Sequence, residues 1–253
     1  HLLDKTKLVS LARSTLEGHV VGDREIYKTL FRAAITPDFI YTRLLAEPPL
    51  DGEQVDLYII GDTDVALYKI PGDIKLLYHA TPLEFKLTDD EQYLIELART
   101  VLAEHRPREE DFLDPQRMRT TFFHIGRDLL QELSENKHIP VAYRRLEELS
   151  HILVRYTVGF GLLEVLLQDP RVQDIVVNSP IGSAPIFIVH QEYGECVTNI
   201  YPSRDDGDSW ATKFRLLSGR PLDEANPILD TELLIPGARS RVAVITNPLS
   251  PDG

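Results

Sequence analysis

Apolar residues fall on alternate positions from Gln54 to Tyr78, then at helical spacing from about residue 82 to residue 158. This change of period constrains the fold more than any other property of the chain. An alternating run buries one face of a sheet, whereas a repeat near 3.6 residues buries one stripe of a helix. Strands followed by a block of helices, rather than strand and helix by turns, read as α+β. Val55, Leu57 and Ile59 alternate, as do Val65 and Leu67, then Ile74, Leu76 and Tyr78. Gly61-Asp62-Thr63 and Pro71-Gly72-Asp73 supply the turns between them. The expectation is a three-stranded antiparallel meander packed on helices.

Two helices are expected before it. Leu8, Leu11, Ala12 and Leu16 share a face, with Gly18 as a stop, and a second helix runs from about Asp23, as N-cap, to Ala34. After the meander, Thr88-Asp89-Asp90-Glu91 is a capping box for a helix reaching about His105. The polar run Arg106–Asp111 reads as a linker. Asp114-Pro115 then pairs an N-cap with an N1 proline and opens a helix to about Asn136. His138-Ile139-Pro140 interrupts, and a further helix to about Tyr156 keeps Leu146, Leu149 and Leu153 on one stripe.

Beyond Gly159 the elements shorten. A helix from Leu162 to Gln168 stops at Asp169-Pro170. Ile175-Val176-Val177 reads as a buried strand, Ile186–Val189 as another, and Gln191–Gly194 as a turn into a strand over Cys196–Tyr201. A helix from Asp206 to Ser218 ends at Gly219, and strands are expected at Ile228–Leu234 and Val242–Ile245. The chain therefore divides into 1–81 (helices plus meander, a possible partner-docking region), 82–158 (a helical layer) and 159–253 (a small α/β unit).

Charge narrows the function. Forty acidic against 27 basic residues give a net charge of −13, which repels phosphate backbones and anionic lipid heads at long range. Broad nucleic-acid or membrane contact is a poor expectation. One cysteine, Cys196, excludes an internal disulfide and zinc sites built on CxxC pairs. No apolar run reaches the 18 residues of a membrane span. The start, HLLDKTKLVS, has neither a signal-peptide pattern nor an initiating Met, and the chain reads as a piece of a longer protein.

The chain contains no Gly-Lys dipeptide, and so no phosphate loop of the GxxxxGK[ST] type, nor a GxGxxG, GxSxG or HExxH motif. His105, His124, His138 and His151 lack the i, i+3 or i+4 spacing of a helical metal site. His190 ends a strand, where a capping or surface role is expected. Asp205-Asp206-Gly207-Asp208 suits the start of a helix better than a calcium loop. From residue 154 onward, seven of the eight basic residues are arginine: Arg155, Arg171, Arg204, Arg215, Arg220, Arg239 and Arg241, with Lys213 the exception. Arginine is the bidentate partner of phosphates and of interface carboxylates.

The stretch Arg155–Asn178, with its Leu166-Leu-Gln-Asp-Pro-Arg-Val-Gln-Asp-Ile-Val-Val-Asn178 core, resembles the N-terminal domain of the type II/IV secretion ATPases, and within them the archaeal branch that serves archaella and type IV pili. Pro185–Gly194, Thr198–Ile200, Asn226-Pro-Ile-Leu-Asp230 and Arg239-Ser-Arg-Val242 follow in the family's order, and Thr81–Glu91 resembles the archaeal members' helix after an acidic-proline segment. The similarity is strong over 155–247, moderate over 82–154 and weak before that.

The resemblance implies a cytoplasmic hexameric ATPase, peripheral to the inner face of the cell membrane, using ATP and Mg2+. In it a PAS-like N-terminal domain is joined by a flexible linker to a RecA-like motor domain, with nucleotide between the two. The phosphate loop would lie beyond Gly253, so this chain alone is expected to be non-catalytic. Arginines of the N-terminal domain border the nucleotide in the family. The best match is Arg241, with Arg239 close by and Arg220 as a weaker candidate. The family usually reads Pro-Asp-Gly-x-Arg-Val where this chain has Pro236-Gly-Ala-Arg-Ser-Arg-Val242, so Arg239 and Arg241 could trade roles. The implied partners are the motor domain, neighbouring subunits of the hexamer and a polytopic membrane platform protein, with no nucleic acid. Two rivals remain: a stand-alone non-catalytic interaction module of a secretion or pilus system, and an unrelated hydrolase, which would need a pocket of convergent carboxylates.

Overall fold

Residues 42–104, 115–246 and 248–250 are described by the computed structural model. The two helices expected before residue 35 and the linker at Arg106–Asp111 lie outside the described residues. Strands β2 (Glu53–Ile60), β3 (Thr63–Lys69) and β4 (Leu76–Thr81) form the antiparallel meander. A short pair, β1 (Arg43–Leu44) with β8 (Ile200–Tyr201), stands beside it. Gly61 and Gly72 take φ of 56° and 92° in the meander's turns, a region that glycine enters without steric penalty.

The meander continues into a larger sheet. β4 pairs in parallel with β7 (Gly194–Thr198), which pairs with β6 (Phe187–His190), which pairs with β5 (Val172–Val176). The six strands run in the order β2-β3-β4-β7-β6-β5. The division at residues 81 and 159 is therefore corrected: the first and last regions share one sheet, and the described residues belong to one compact unit. A parallel pair needs a long crossover, and the helical layer is part of it. The expected buried strand at Ile175–Val177 is also corrected. Among the described residues β5 is an edge strand with one neighbour, and Val176 is 45% exposed.

The helical layer is α1 (Asp89–Glu104), α2 (Pro115–Lys137) and α3 (Tyr143–Thr157). The capping box forms: Thr88 N donates to Glu91 Oε2 at 2.8 Å and Glu91 N to Thr88 Oγ1 at 3.3 Å. α2 ends where His138 turns left-handed at φ 57°, and Ile139 N donates to the Ser134 carbonyl at 3.0 Å. Leu94, Ile95 and Ala98 of α1, Leu130 of α2 and Leu149 and Ile152 of α3 are fully buried together. A second core lies against the sheet and takes in Leu67, Tyr78, Leu162, Leu166, Ile186, Ile188 and Trp210. The result is an α+β fold. Among the described residues, no helix is long and apolar enough to cross a membrane.

Charged residues join the layers. Arg155 of α3 is 8% exposed. It donates to both carboxylate oxygens of Glu84, at 3.0 and 3.1 Å, and to both of Asp62, at 3.1 Å each. Helix α4 (Leu163–Leu167) supplies buried Glu164, which takes a two-pronged contact from Arg119 at 2.8 and 2.5 Å and accepts from Phe160 N at 2.9 Å. A side chain at Gly159 would run into that carboxylate and into the Arg155 carbonyl at 2.6 Å.

Helix α5 (Arg204–Ser218) opens two residues earlier than expected. Ser203 caps it, with Ser203 Oγ accepting from Asp206 N at 3.1 Å and Ser203 N donating to Asp206 Oδ2 at 2.8 Å. The acidic run therefore sits in the first turns of a helix. Among the described residues no group of His, Cys, Asp and Glu is arranged to hold a metal.

Lys213 of α5 donates to the Gly159 carbonyl, and burial lowers its pKa to about 8. Between about pH 8 and about 10.5 the folded chain has released a proton that the unfolded chain still holds. Lys213 therefore makes stability rise through that window, with its burial penalty fully present below it. Urea unfolding across that range is expected to show this rise in the native chain and a flatter profile for Lys213→Met.

Candidate functional site

The last two strands stand apart from the six-stranded sheet. β9 (Ile228–Ile235) and β10 (Ala238–Ile245) form an antiparallel hairpin, and Gly237 turns it at φ 81°. Alternation splits its side chains. Leu229, Leu233 and Ile235 are buried on the inner face, while Asp230, Glu232, Arg239 and Arg241 are exposed on the outer one. The register sets Arg241 opposite Glu232 and Arg239 opposite Leu234. Each arginine then reaches diagonally across the ladder. Arg239 Nε donates to Glu232 Oε1 at 2.5 Å. Arg241 forks onto Asp230, with Nε 2.9 Å from Oδ1 and Nη2 bonded to Oδ2. Arg220, in the loop after α5, donates from Nη1 to the Asp230 carbonyl at 3.2 Å.

The structure therefore brings all three expected arginines together around Asp230 and Glu232. The Arg241 guanidinium holds the Asp230 carboxyl below its usual range, and Arg239 does the same for Glu232. The arginine side chains remain 71% and 81% exposed. Ion pairs this open add little to stability, so the arginines are available to exchange a carboxylate for another anion. The fork on Asp230 is the same edge that a phosphate would present.

A second polar cluster is closed. Asp169, just after α4, is 2% exposed. Its Oδ2 accepts from the hydroxyls of Tyr58 and Tyr78 at 2.8 Å each, and its Oδ1 accepts from Arg171 N at 2.8 Å. His190 is 1% exposed, which corrects the surface half of its expected role, while its ring caps the following turn. Its Nδ1 accepts from Glu192 N at 3.2 Å, so the hydrogen-bond pattern puts the ring proton on Nε2, 3.3 Å from Tyr58 Oη. Burial pushes the His190 pKa down and both tyrosine pKa values up. Arg171 covers the Tyr58 ring at 4.1 Å and bonds Asp56 Oδ2 at 3.0 Å.

The Asp169 carboxylate, the Tyr58 and Tyr78 hydroxyls and the His190 ring of this cluster are used internally, and its lone central carboxylate is not the convergent set a hydrolase needs. The sequence reads Asp169 as a helix stop only. The signal it offers is an acid embedded in the apolar Leu166-Leu167…Val172 surroundings. Asp169→Ala strips two buried hydroxyls of their acceptor and is expected to destabilise the chain by about 2–4 kcal/mol in urea unfolding. Of the other histidines, His124 and His151 flank Phe123, His138 ends α2, and His79 is buried with no hydrogen-bond partner for its Nε2 among the described residues. His105 lies outside the described residues.

No protein-family model matches the chain. It is similar to three proteins of Methanocaldococcus jannaschii whose names carry no activity. It is 30% identical over 107 residues to the uncharacterized protein MJ0781, covering 42% of this chain and 14% of that protein. It is 30% identical over 87 residues to the uncharacterized protein MJ1288, covering 34% of each. It is 33% identical over 123 residues to the uncharacterized protein MJ0900, covering 47% of this chain and 21% of that protein. The chain thus spans about a third or less of the length of these relatives.

Proposed function

We propose that this chain is the regulatory N-terminal part of a longer secretion or pilus-assembly ATPase, and that its hairpin arginines border a nucleotide held by a RecA-like motor domain. One observation carries the reading. Arg220, Arg239 and Arg241, which the motif resemblance picks out from separate stretches of sequence, are all exposed and gather on the outer acids of β9: Arg220 and Arg241 on Asp230, and Arg239 on Glu232. The donor set fits terminal phosphates, because guanidinium forks offer paired N–H groups and keep their charge at any working pH. In this reading Mg2+ accompanies the nucleotide on the motor side.

The chemistry follows from the residues present. With the domains apart, Asp230 and Glu232 hold the guanidiniums in extended, ordered positions. When the domains close, Arg241, supported by Arg239 and Arg220, exchanges its carboxylate for phosphate oxygens. Bound ATP would supply the negative charge that makes this exchange favourable, so nucleotide state and domain position become coupled. The sheet and helical layer, pinned by Arg155–Glu84 and Arg119–Glu164, move as one rigid body and transmit the closure. In the same reading the carboxyl-terminal unit is PAS-like and the protein is cytoplasmic, at the inner face of the membrane. Its hexamer neighbours and a platform protein are its partners, and the net charge of −13 suits a basic platform surface. The test is the longer product of the same gene. It is expected to assemble and turn over ATP, while the 253-residue chain does not. A longer product without ATP turnover overturns the reading.

A further inference from the structure

Leu57 of β2 stands opposite Ala66 of β3, and Ala66 opposite His79 of β4. Directly opposed residues share a face, and the neighbouring pair Leu67 and Tyr78 points the other way, into the core. The row is 60% exposed at Leu57, 7% at Ala66 and 4% at His79. Residues 42–50 run across His79 as a strap, with the main-chain carbonyls of Leu45, Ala46 and Glu47 against the ring. The strap is tied at one end, where β1 pairs with β8, Leu45 N donates to the Asn199 carbonyl at 3.0 Å and Asn199 Nδ2 donates to the Leu45 carbonyl at 2.9 Å.

A neutral imidazole carries one N–H and one lone pair, whereas the imidazolium carries two N–H groups. Thr81 Oγ1 lies 3.4 Å from His79 Nδ1, and Nε2 has no hydrogen-bond partner among the described residues. With the strap closed, a second ring proton would be a buried charge with one donor unanswered, which costs far more than a neutral ring in the same place. Among the described residues, the titratable and charged groups around the ring do not offset that charge. Tyr68 of β3 meets the ring edge-on, with centroids 6.0 Å apart. Asp64, opposite Thr81 on β3, is paired with Lys86 at 2.5 Å. On the strap, Arg43 lies over the Tyr201 ring at 4.4 Å and Glu47 is exposed. Burial accordingly holds the His79 pKa below its ordinary 6.5, and the strap carbonyls oppose this only in part.

We infer that His79 and residues 42–50 form an acid-sensitive latch: the neutral ring lets the strap lie closed on β4, and the protonated ring releases it from Leu45 onward while β1 stays paired with β8. The open strap lets water accept from both ring N–H groups. The sign follows from linkage. Between the ring's closed-state pKa and about 6.5 the closed state binds fewer protons at His79 than the open one, so closure strengthens as pH rises through that window and weakens as pH falls. Release bares His79 beside Ala66 and extends inward the row that Leu57 begins at the edge. The latch is independent of the nucleotide reading and would stand without it.

The experiment is amide hydrogen exchange on the 253-residue chain between about pH 5 and about pH 8, expressed as protection so that the intrinsic pH dependence of exchange drops out. Protection of the Leu45 amide is expected to be level above about pH 7 and to fall about tenfold per pH unit below about 6.5, one proton being taken up on release. Amides of β3 and β4 are expected to stay protected throughout. His79→Gln cannot titrate and is expected to keep Leu45 protection level over the whole range. NMR titration of the His79 ring in the native chain is a second readout that needs no variant, and its midpoint is expected below 6.5, together with the loss at Leu45. Level Leu45 protection in the native chain overturns the inference, as does an equal fall in His79→Gln or a ring that takes up its proton while Leu45 stays protected. Loss at Leu45 in step with β3 and β4 overturns it too, by assigning the acid response to unfolding of the whole unit, to which the lowered pKa values of His151 and His190 contribute.

Discussion

Arg155→Ala is expected to lower folding stability by about 3–5 kcal/mol, read as a fall in the urea midpoint with an unchanged slope. The effect is large because of what stays behind. Glu84 is 0% exposed, and without the guanidinium its carboxylate keeps, among the described residues, the Tyr156 hydroxyl at 2.9 Å. Asp62 is 28% exposed and recovers water, so Glu84 dominates the loss. The double variant Arg155→Met with Glu84→Gln removes both buried charges and is expected to regain most of the stability, since a buried ion pair is weak evidence of net stabilisation. Arg155→Lys keeps the charge but cannot fork onto two carboxylates, and should fall between the native chain and the alanine variant. If Arg155→Ala matched the native chain, the joint between α3 and the β2–β3 turn would not have the role assigned to it.

The same residue shows how far the sequence could be read. Its arginine bias suggests bidentate recognition of phosphates or carboxylates, and the fold divides that bias in two. Arg155 and Arg171 serve carboxylates inside the domain, while Arg220, Arg239 and Arg241 face outward. Only long-range packing makes that distinction. The meander and its turns were legible because β2, β3 and β4 pair with sequence neighbours, and their glycines sit where the backbone must turn left-handed. The β4–β7 pair was not legible, because its strands are separated by the entire helical layer and no local pattern encodes a distant parallel partner. The apolar run Ile175-Val176-Val177 suggests burial, but composition cannot say whether a second neighbour stands beside the strand. Asp169 and His190 carry ordinary local signals, a helix stop and a strand end. Both are buried in the fold, where Tyr58 of β2 and Tyr78 of β4, far away in sequence, bond Asp169 and Tyr58 also meets His190. Motif positions point to the three arginines one by one, and their convergence on Asp230 and Glu232 depends on the hairpin register.

That convergence also sets the most direct test of the account. In the longer protein, Arg241→Ala is expected to lower ATP turnover by about 100-fold, the scale seen when one preorganised donor to developing negative charge is removed. Arg239→Ala should lower it less, since Arg239 lies one step further along the strand and makes a single contact to Glu232. Arg241→Lys should not restore the rate, because an ammonium cannot reproduce the fork. The thermal midpoint and the exchange protection of β9 and β10 should stay at native values in each variant, because the ion pairs removed are exposed. The deciding measurement is the steady-state ATP turnover of Arg241→Ala, alone and combined with Arg239→Ala, against the native longer protein. A loss of about 100-fold in the single variant, deepened in the double one and with the fold intact, is the predicted result. Native turnover in the double variant would contradict the account.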